Sequence, residues 1–329
     1  MVCQNGGNKT VSEKIKNFGQ KNKQLLIMLG VIVVVFALVS LLVPNFATKR
    51  NLTNLLSQVA PIAVMAAGVT YVLITAGMDI SCPSVMAAAA VVGTYYMTQV
   101  PNANYALGAI IILVVGSLLG LINGVAVAKF KMVPLVVTLA MMTVGTGLAN
   151  ILSGTIGLPN LDPKFAKFFN KSVVIVMMFL VIIILDLILT KTTFGRKLYY
   201  IGNNTNTTKV SGINNVGVTI AAYVISGFCC GVAGIMNTAL IQTARATMGP
   251  QSQILDIISA AVIGGVDPNG GKGRVRDAFL GAFLIVGLNN VMNLLGVNDY
   301  YTTLIKGCII IGAMGVSAIK QRALAKKGA

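Results

Sequence analysis

The sequence predicts an all-α integral membrane protein with about ten transmembrane helices and with both termini in the cytoplasm. Of its 329 residues, 56% are hydrophobic and only 10% are charged, far outside the usual balance of a soluble domain. Apolar runs long enough to cross a bilayer core of about 30 Å as a helix recur along the chain. Lysine and arginine residues cluster in alternate segments between these runs, as they do in multi-pass proteins.

Ten apolar runs form the predicted membrane domain, residues 25–319. The first follows a lysine-rich segment, but it is long for a signal peptide and no A-x-A cleavage site comes after it. We therefore interpret it as an uncleaved first span, with residues 1–24 and 320–329 as cytoplasmic tails. The predicted spans are residues 25–44, 56–76, 83–99, 105–128, 133–153, 172–190, 218–240, 252–264, 277–295 and 301–319.

The positive charge of the chain is distributed unevenly between the two predicted faces. Eighteen of the 25 lysine and arginine residues fall in segments that this topology assigns to the cytoplasm, whereas six fall in outer segments. A cytoplasmic excess of positive charge is the general pattern of membrane proteins. The net charge of +17 is therefore explained by a membrane lipid environment, and no nucleic-acid partner is predicted.

The sequence offers few groups for catalysis or for metal binding. It contains no histidine, a single glutamate and five cysteines without a C-x-x-C spacing. Residues 263–277, IGGVDPNGGKGRVRD, look like a phosphate-binding loop. However, Lys272 precedes a glycine rather than Ser or Thr, and Val266 occupies the position of the first glycine of a Walker A motif. We predict a tight cytoplasmic turn here, and neither an enzyme, a metal site nor a cofactor bound by this chain.

Two of the charged residues inside predicted spans, Asp256 and Lys306, lie at a similar depth. Asp256 and Lys306 each lie about five residues from the outer end of a span, which at about 1.5 Å per residue is roughly 7 Å deep. An unpaired charge in a bilayer is costly, so an ion pair between these two residues is one interpretation. The other is that Lys306 extends its ammonium group to the membrane surface without meeting Asp256.

Glycines and amides inside the spans indicate helix packing. Gly116, Gly120 and Gly124 recur at intervals of four, which predicts close approach of another helix. Asparagine and glutamine inside spans either bond one helix to another or line a polar path. The segments that begin at Gly120 and Gly287 share a G-L-x-N start and run in opposite directions in this topology, which is compatible with an inverted repeat.

Two loops are longer than simple turns. The outer loop, residues 153–172, contains KFAKFF, which predicts a short helix at the bilayer surface. The cytoplasmic loop, residues 191–215, is the longest polar insertion between spans and has turn residues at both ends. Loops of this length in compact proteins are usually functional.

Four segments together resemble a known family. They are NLTNLLSQVAPIAVMAAGVTYVLITAGMDIS, GRKLYYIGNNTNTTKVSGIN, IISAAVIGGVDPNGGKGRV and GLNNVMNLLGVNDYY. In order and spacing they resemble the permease subunits of bacterial ABC importers for ribose, galactosides and related simple sugars. The resemblance covers residues 25–319 of the chain.

The resemblance implies a passive translocation subunit in the inner membrane of a bacterium, which moves a monosaccharide inward by alternating access. It implies that ATP and magnesium are bound by a separate tandem ATPase, and that a sugar-binding protein acts outside. It also implies a second permease, either another copy or a sister chain. The loop 191–215 then resembles the coupling element that docks on the ATPase, and the family pattern is matched at Gly195, Arg196, Asn204, Ser211, Gly212 and Ile213.

A sugar path through the membrane should carry hydrogen-bonding groups, because a desolvated sugar needs partners there. The candidate path residues are Gln58, Asn123, Asn289 and Asn290. Departures from the family pattern, such as Asn206 and Thr207 in the coupling loop, leave the identity of the solute open. Two alternatives therefore stay open: an ABC permease for nucleoside or autoinducer uptake, and a stand-alone secondary transporter, which would need titratable groups near the midplane.

Overall fold

A computed structural model of the protein describes residues 23–154, 156–158, 163–249, 252–298, 300–309, 311, 312 and 315. Within these residues the secondary structure is helical, apart from turns and one isolated antiparallel bridge between Leu158 and Ala244. The tails predicted at residues 1–24 and 320–329 fall almost entirely outside the described ranges.

Twelve α-helices and one short 3₁₀ helix have defined bounds in the described part of the chain, and a further helical stretch covers residues 300–309. The α-helices are α1 (Lys23–Leu42), α2 (Lys49–Ile74), α3 (Cys82–Gln99), α4 (Tyr105–Ala128), α5 (Pro134–Ser153), α6 (Pro163–Phe168), α7 (Lys171–Lys191), α8 (Thr193–Asn203), α9 (Thr205–Val210), α10 (Asn215–Ile241), α11 (Ser252–Ile263) and α12 (Val275–Leu294).

Six of these helices are long and apolar enough to cross a membrane: α2, α4, α5, α7, α10 and α12. A helix needs about 20 mostly apolar residues to span the hydrocarbon core, and each of the six satisfies that length. The predicted class, an all-helical multi-pass membrane protein, is confirmed. The count of ten crossings and the cytoplasmic position of both termini stay predictions.

Helices α2 and α3 form the centre of the molecule. Every residue of α2 from Val59 to Ile74 is buried, and this helix contacts α7, α10, α11 and α12. The alanine run Ala87–Ala90 of α3 is fully buried against α4, α5 and α10. Because alanine side chains are short, the surrounding helices approach the α3 backbone closely.

Helices α4 and α10 make the most extensive helix contact in the fold. A methyl group added to Gly116 would lie 2.5 Å from the main-chain oxygen of Gly227, and one added to Gly120 would collide with the main-chain oxygen of Tyr223. Such spacing leaves no room for a side chain, so the backbones themselves are in contact. The prediction that the glycines at intervals of four admit a neighbouring helix is confirmed.

Two interruptions of helical structure lie inside the apolar domain. Helix α2 ends at Ile74, and residues 75–81 form an irregular segment, which we call the α2–α3 break. Helix α11 ends at Ile263, and the glycine-rich residues 264–273 follow it. Irregular backbone at membrane depth is tolerated where the protein buries it or where it lines a cavity.

The outer loop contains the predicted short helix, α6. Phe165 on this helix is fully buried, whereas Phe168 is 56% exposed. Phe165 belongs to a buried cluster that includes Ile112 of α4 and Ile235 of α10, so one face of α6 is anchored to the helical core.

Candidate functional site

A buried polar network surrounds Asp79 in the α2–α3 break. One carboxylate oxygen of Asp79 accepts hydrogen bonds from the Ser81 hydroxyl at 2.6 Å and from the Ser81 main-chain N–H at 3.1 Å. The other accepts from the Ser226 hydroxyl of α10 at 2.7 Å. Ser81 in turn accepts a bond from the Asn123 amide of α4 at 3.0 Å. The network therefore ties α2, α3, α4 and α10 together at one point.

Local sequence explains why the chain breaks here. Ala76 has a left-handed φ of 58°, and the Gly77 N–H bonds back to the Val72 carbonyl at 3.1 Å, so helix α2 is closed by a tight turn. Pro83 in the first turn of α3 suits a helix start, since its missing N–H would be unpaired there anyway. Asp79 lies just before that helix start, where the helix dipole favours negative charge.

Asp79 was not among the residues predicted for the site. Its signal in the sequence is an acidic residue directly after an apolar run, and that signal does not identify its partners. Asp79 is 4% exposed and Asn123 is 1% exposed, and the oxygen of the Asn123 amide has no hydrogen-bond partner among the described residues. A buried polar atom without a partner is costly, so this point of the core keeps unused hydrogen-bonding capacity.

A second buried polar contact joins α2 to α12 through two amides. Asn51 donates to the side-chain oxygen of Asn290 at 2.9 Å, and Asn290 donates back to that of Asn51 at 3.0 Å. Asn51 also donates to the main-chain oxygen of Phe46 at 2.9 Å. The predicted path residue Asn290 is therefore engaged in helix-to-helix bonding in this conformation.

Replacing Asn290 by alanine should lower the free energy of unfolding by about 1–2 kcal/mol, because the buried Asn51 amide loses its partner. Thermal unfolding of the purified protein in detergent measures this loss. The matched control is Asn289→Ala, since the oxygen of Asn289 already has no partner in the described part of the chain. A change in sugar affinity without a change in stability would instead place Asn290 on the path.

The other candidate path residues have different surroundings. Gln58 is exposed on α2, although most of that helix is buried, while Asn123 belongs to the Asp79 network. Asn289 is partly buried on α12. Among the described residues no hydrogen bond joins the four amides to one another, and the assignment of these residues to a path stays a prediction.

The two intramembrane charges predicted as a pair face each other. The Lys306 ammonium lies 3.1 Å from a carboxylate oxygen of Asp256, which joins α11 to the helical stretch 300–309. The side chains are 18% and 7% exposed, respectively. In this geometry the Lys306 ammonium contacts Asp256. The alternative interpretation, a lysine that extends to the membrane surface without meeting Asp256, does not describe this contact.

The loop 191–215 folds into two short helices, α8 and α9. Gly195 lies in the corner between α7 and α8, where a side chain would collide with the main-chain oxygen of Leu189. Arg196, Asn204, Ser211 and Gly212 are exposed, whereas Ile213 is half-buried. The end of α9 exposes Val210 almost completely, at 91% of its surface.

Asn215 holds the end of this loop against the start of α10. Its amide donates to the Thr205 carbonyl at 3.1 Å and to the Thr208 hydroxyl at 2.9 Å. Helix α9 is thereby fixed to the membrane domain while its tip projects outward. An ordered, exposed segment of this kind is suited to contact with another protein.

The fold and these sites define a class of protein: a multi-pass membrane protein, with a polar break in its core and an ordered loop that projects from the helical domain. The chain belongs to the family described as branched-chain amino acid transport system / permease component, whose model matches residues 51–314. The predicted resemblance to importer permeases is confirmed, and membership of a permease family makes the chain a transport component rather than an enzyme.

Similar proteins include permeases for two sugars. The chain is 33% identical to the ribose import permease protein RbsC of Haemophilus influenzae over 293 residues, which cover 86% of this chain and 90% of that protein. It is 35% identical to RbsC of Bacillus subtilis, with coverage of 87% and 90%. It is 29% identical to the galactose/methyl galactoside import permease protein MglC of Escherichia coli K12, with coverage of 88% and 94%. No solved structure matches the chain significantly.

Proposed function

We propose that this chain is the membrane-spanning subunit of an ATP-driven importer that moves a monosaccharide of the ribose or galactose type into the cell. The observation that carries the proposal is its similarity, over 86–88% of its length, to ribose and galactose import permeases. The family description mentions branched-chain amino acids, but these relatives, which match almost end to end, carry sugar names. We therefore assign a sugar as the solute, as in the names of these relatives.

The proposed assembly places the chain in the inner membrane of a bacterium, with ten crossings and both termini in the cytoplasm. A separate tandem ATPase binds ATP and magnesium on the cytoplasmic side, and a sugar-binding protein delivers the solute from outside. A second permease, either another copy or a sister chain, completes the membrane domain. Alternating access then moves the sugar while the chain itself performs no chemistry.

The coupling element of this proposal is formed by α8, α9 and the residues 211–213 that follow them, which we call the coupling segment. At its tip Val210 is 91% exposed, and Ser211 and Gly212 are exposed as well. An apolar side chain held out on an ordered polar segment gains free energy when a partner covers it. In the proposed assembly the ATPase lies on the cytoplasmic side, and it is the partner that covers Val210.

The exposed face of α5 is a further candidate for the sugar path. Thr143, Thr146 and Asn150 lie exposed at helical spacing on a span that otherwise presents apolar residues to its surroundings. Polar side chains on a membrane helix usually face a protein interior or a polar cavity. We place the path between two permease chains, with this face of α5 and Gln58 among its walls.

Changing Gly212 to valine should abolish co-purification of the ATPase with the permease. Gly212 has a φ of 72°, which valine adopts only at a cost, so the tip of the coupling segment must rearrange. The measurement is affinity purification from membranes in mild detergent, followed by mass spectrometry of the proteins that accompany the chain. The control is Gly154→Val, because Gly154 also has a positive φ of 60° and open space around it but lies at the end of α5.

Transport itself is tested in proteoliposomes that contain the permease, its ATPase and the binding protein. Uptake of labelled ribose or galactose that requires enclosed ATP would support the proposal, whereas uptake by the permease alone would indicate a secondary transporter. Competition by unlabelled nucleosides or branched-chain amino acids, with none by sugars, would overturn the solute assignment.

A further inference from the structure

The glycine loop, residues 264–273, touches the coupling segment and the end of α2 at the same time. The Gly271 N–H donates to the Ile74 carbonyl, the last residue of α2, at 2.9 Å. A methyl group on Gly271 would collide with the side-chain oxygen of Asn203 on α8, and one on Gly270 would lie 2.9 Å from the backbone of Ala76. The loop therefore fills the space between α8 and the beginning of the α2–α3 break.

Helix α8 reaches the same junction directly. A methyl group on Gly202 would collide with the Ile74 carbonyl, so the last turn of α8 lies on the last turn of α2. The Tyr199 hydroxyl donates to the Gly273 carbonyl at 2.6 Å. Phe194, in the first turn of α8, stacks on Tyr71 of α2 with ring centres 6.3 Å apart.

The loop itself is held in a closed shape by its own hydrogen bonds. The Asp267 N–H donates to the Lys272 carbonyl at 3.0 Å, and the Gly270 N–H donates to the Asp267 carbonyl at 3.0 Å. Gly270 and Gly271 have φ values of 94° and 73°, which an L-residue adopts only under strain. A closed turn of this kind moves as a unit when either side of it is displaced.

Beyond Ile74 the chain passes within five residues to Asp79 and its network. Tyr223 of α10 donates to the Met78 carbonyl at 3.1 Å, and Asp79 accepts from Ser226 of the same helix. A displacement of the end of α2 thus acts on a segment whose other contacts lie on α4 and α10. Packed side chains and hydrogen bonds are the physical means by which two sites become coupled.

We propose that the glycine loop is the link by which the coupling segment sets the position of the α2–α3 break, with Tyr199 and Gly271 as positioning residues for transport. The proposal rests on the function proposed above, because it needs an ATPase to displace α8. Neither residue contacts the sugar in this account. Their role is to couple ATP hydrolysis to the movement of the α2–α3 break.

Tyr199 is a suitable residue to test because one oxygen atom makes its contact to the loop. Burial raises the pKa of the Tyr199 phenol to about 12, although the nearby Arg274 acts in the opposite direction. The hydroxyl is therefore protonated at neutral pH and available as a donor to Gly273. Tyr199→Phe removes this bond and keeps the ring, so the fold of α8 is preserved.

The experiment measures the amount of sugar imported per ATP hydrolysed in proteoliposomes of the complete transporter. A net hydrogen-bond contribution corresponds to about a fivefold change in an equilibrium, so Tyr199→Phe should lower this ratio about fivefold. Binding of the ATPase and its hydrolysis rate should stay near those of the wild type. The matched control is Tyr95→Phe, since Tyr95 lies on α3, outside the coupling segment, and is 41% exposed.

A second variant tests the same link from the side of the loop. Gly271→Ala forces a methyl group against Asn203 at an unfavourable φ, and it should lower the transport ratio further than Tyr199→Phe. Adding Asn203→Ala relieves the collision and should restore part of the ratio.

The outcomes separate the two proposals. If the wild-type assembly does not transport sugar with ATP, the proposed function fails whatever the variants do. If the wild type transports and Tyr199→Phe gives the same ratio as Tyr95→Phe, the link through the glycine loop is overturned.

Discussion

Lys306→Ala is expected to lower the free energy of unfolding by about 3 kcal/mol. Removing one partner of a buried pair leaves the other charge without compensation, and this costs about 3–5 kcal/mol in buried sites. Asp256 is 7% exposed, and the ammonium of Lys306 is its hydrogen-bond partner across 3.1 Å. We place the loss at the lower end of the range because the side chain of Lys306 is 18% exposed and water reaches part of it.

The measurement is the thermal midpoint of the detergent-solubilised protein, compared with a variant in which both charges are replaced, Lys306→Met with Asp256→Leu. The double variant should regain most of the lost stability, because it leaves no uncompensated charge. Lys171→Ala is the matched control, since the Lys171 ammonium also has a side-chain partner, Asn54 at 2.7 Å, but Lys171 is exposed and Asn54 is only partly buried. An unchanged midpoint for Lys306→Ala would show that the pair contributes nothing to stability.

The sequence predicted the helices of this protein well because a membrane span is a local property. Length and apolar composition alone identify runs such as residues 105–128, and the structure has α4 at Tyr105–Ala128. The glycine spacing on α4 likewise has one physical meaning inside a span, close helix packing, and α10 lies against it. Asp256 and Lys306 could be named as partners because few other charges lie at their depth.

The sequence predicted the polar sites less completely. An asparagine inside a span looks the same in the sequence whether its amide bonds to another helix or lines a path. Asn290 was a candidate for the path, and its partner Asn51 lies 239 positions away in the chain. No local pattern connects them. Asp79 is a similar case, since its contact to Ser226 exists only once α3 and α10 are packed together.

The glycine loop shows both what the sequence could predict and what it could not. Its sequence excluded a Walker A motif, because the required spacing of glycine, lysine and hydroxyl is a local rule. Its contacts to Ile74 and to Tyr199 depend on the tertiary fold, so they could not be predicted from the motif itself. The glycines that look like a nucleotide loop are required here by positive φ angles and by close approach of the α2 and α8 backbones.

The largest loss of stability is expected from Gly120→Ala on α4. The added methyl group would collide with the Tyr223 carbonyl and lie 3.0 Å from the Cα of Gly227, and neither is the end of a flexible side chain. Helix backbones must move apart to accept it, and overpacking of this kind costs about 1–3 kcal/mol and occasionally more. We expect at least the upper value, because the contact is between two main chains. Gly120→Leu should prevent assembly altogether.

Gly147→Ala on α5 is the matched control, since nothing lies within 4 Å of the added methyl group. It should leave stability unchanged or raise it by up to about 1 kcal/mol, because alanine is the better helix former. Size-exclusion profiles and thermal midpoints of both variants in the same detergent provide the comparison. Equal behaviour of the two would show that α4 and α10 are not in backbone contact.

The same substitution also bears on function through the Asp79 network. Helix α4 carries Asn123 and α10 carries Ser226, so any separation of the two helices stretches the bonds that converge on Ser81 and Asp79. Gly120→Ala should therefore reduce sugar transport even where enough folded protein survives to be reconstituted. Transport at the wild-type rate by a destabilised Gly120→Ala protein would show that the network is needed for folding alone.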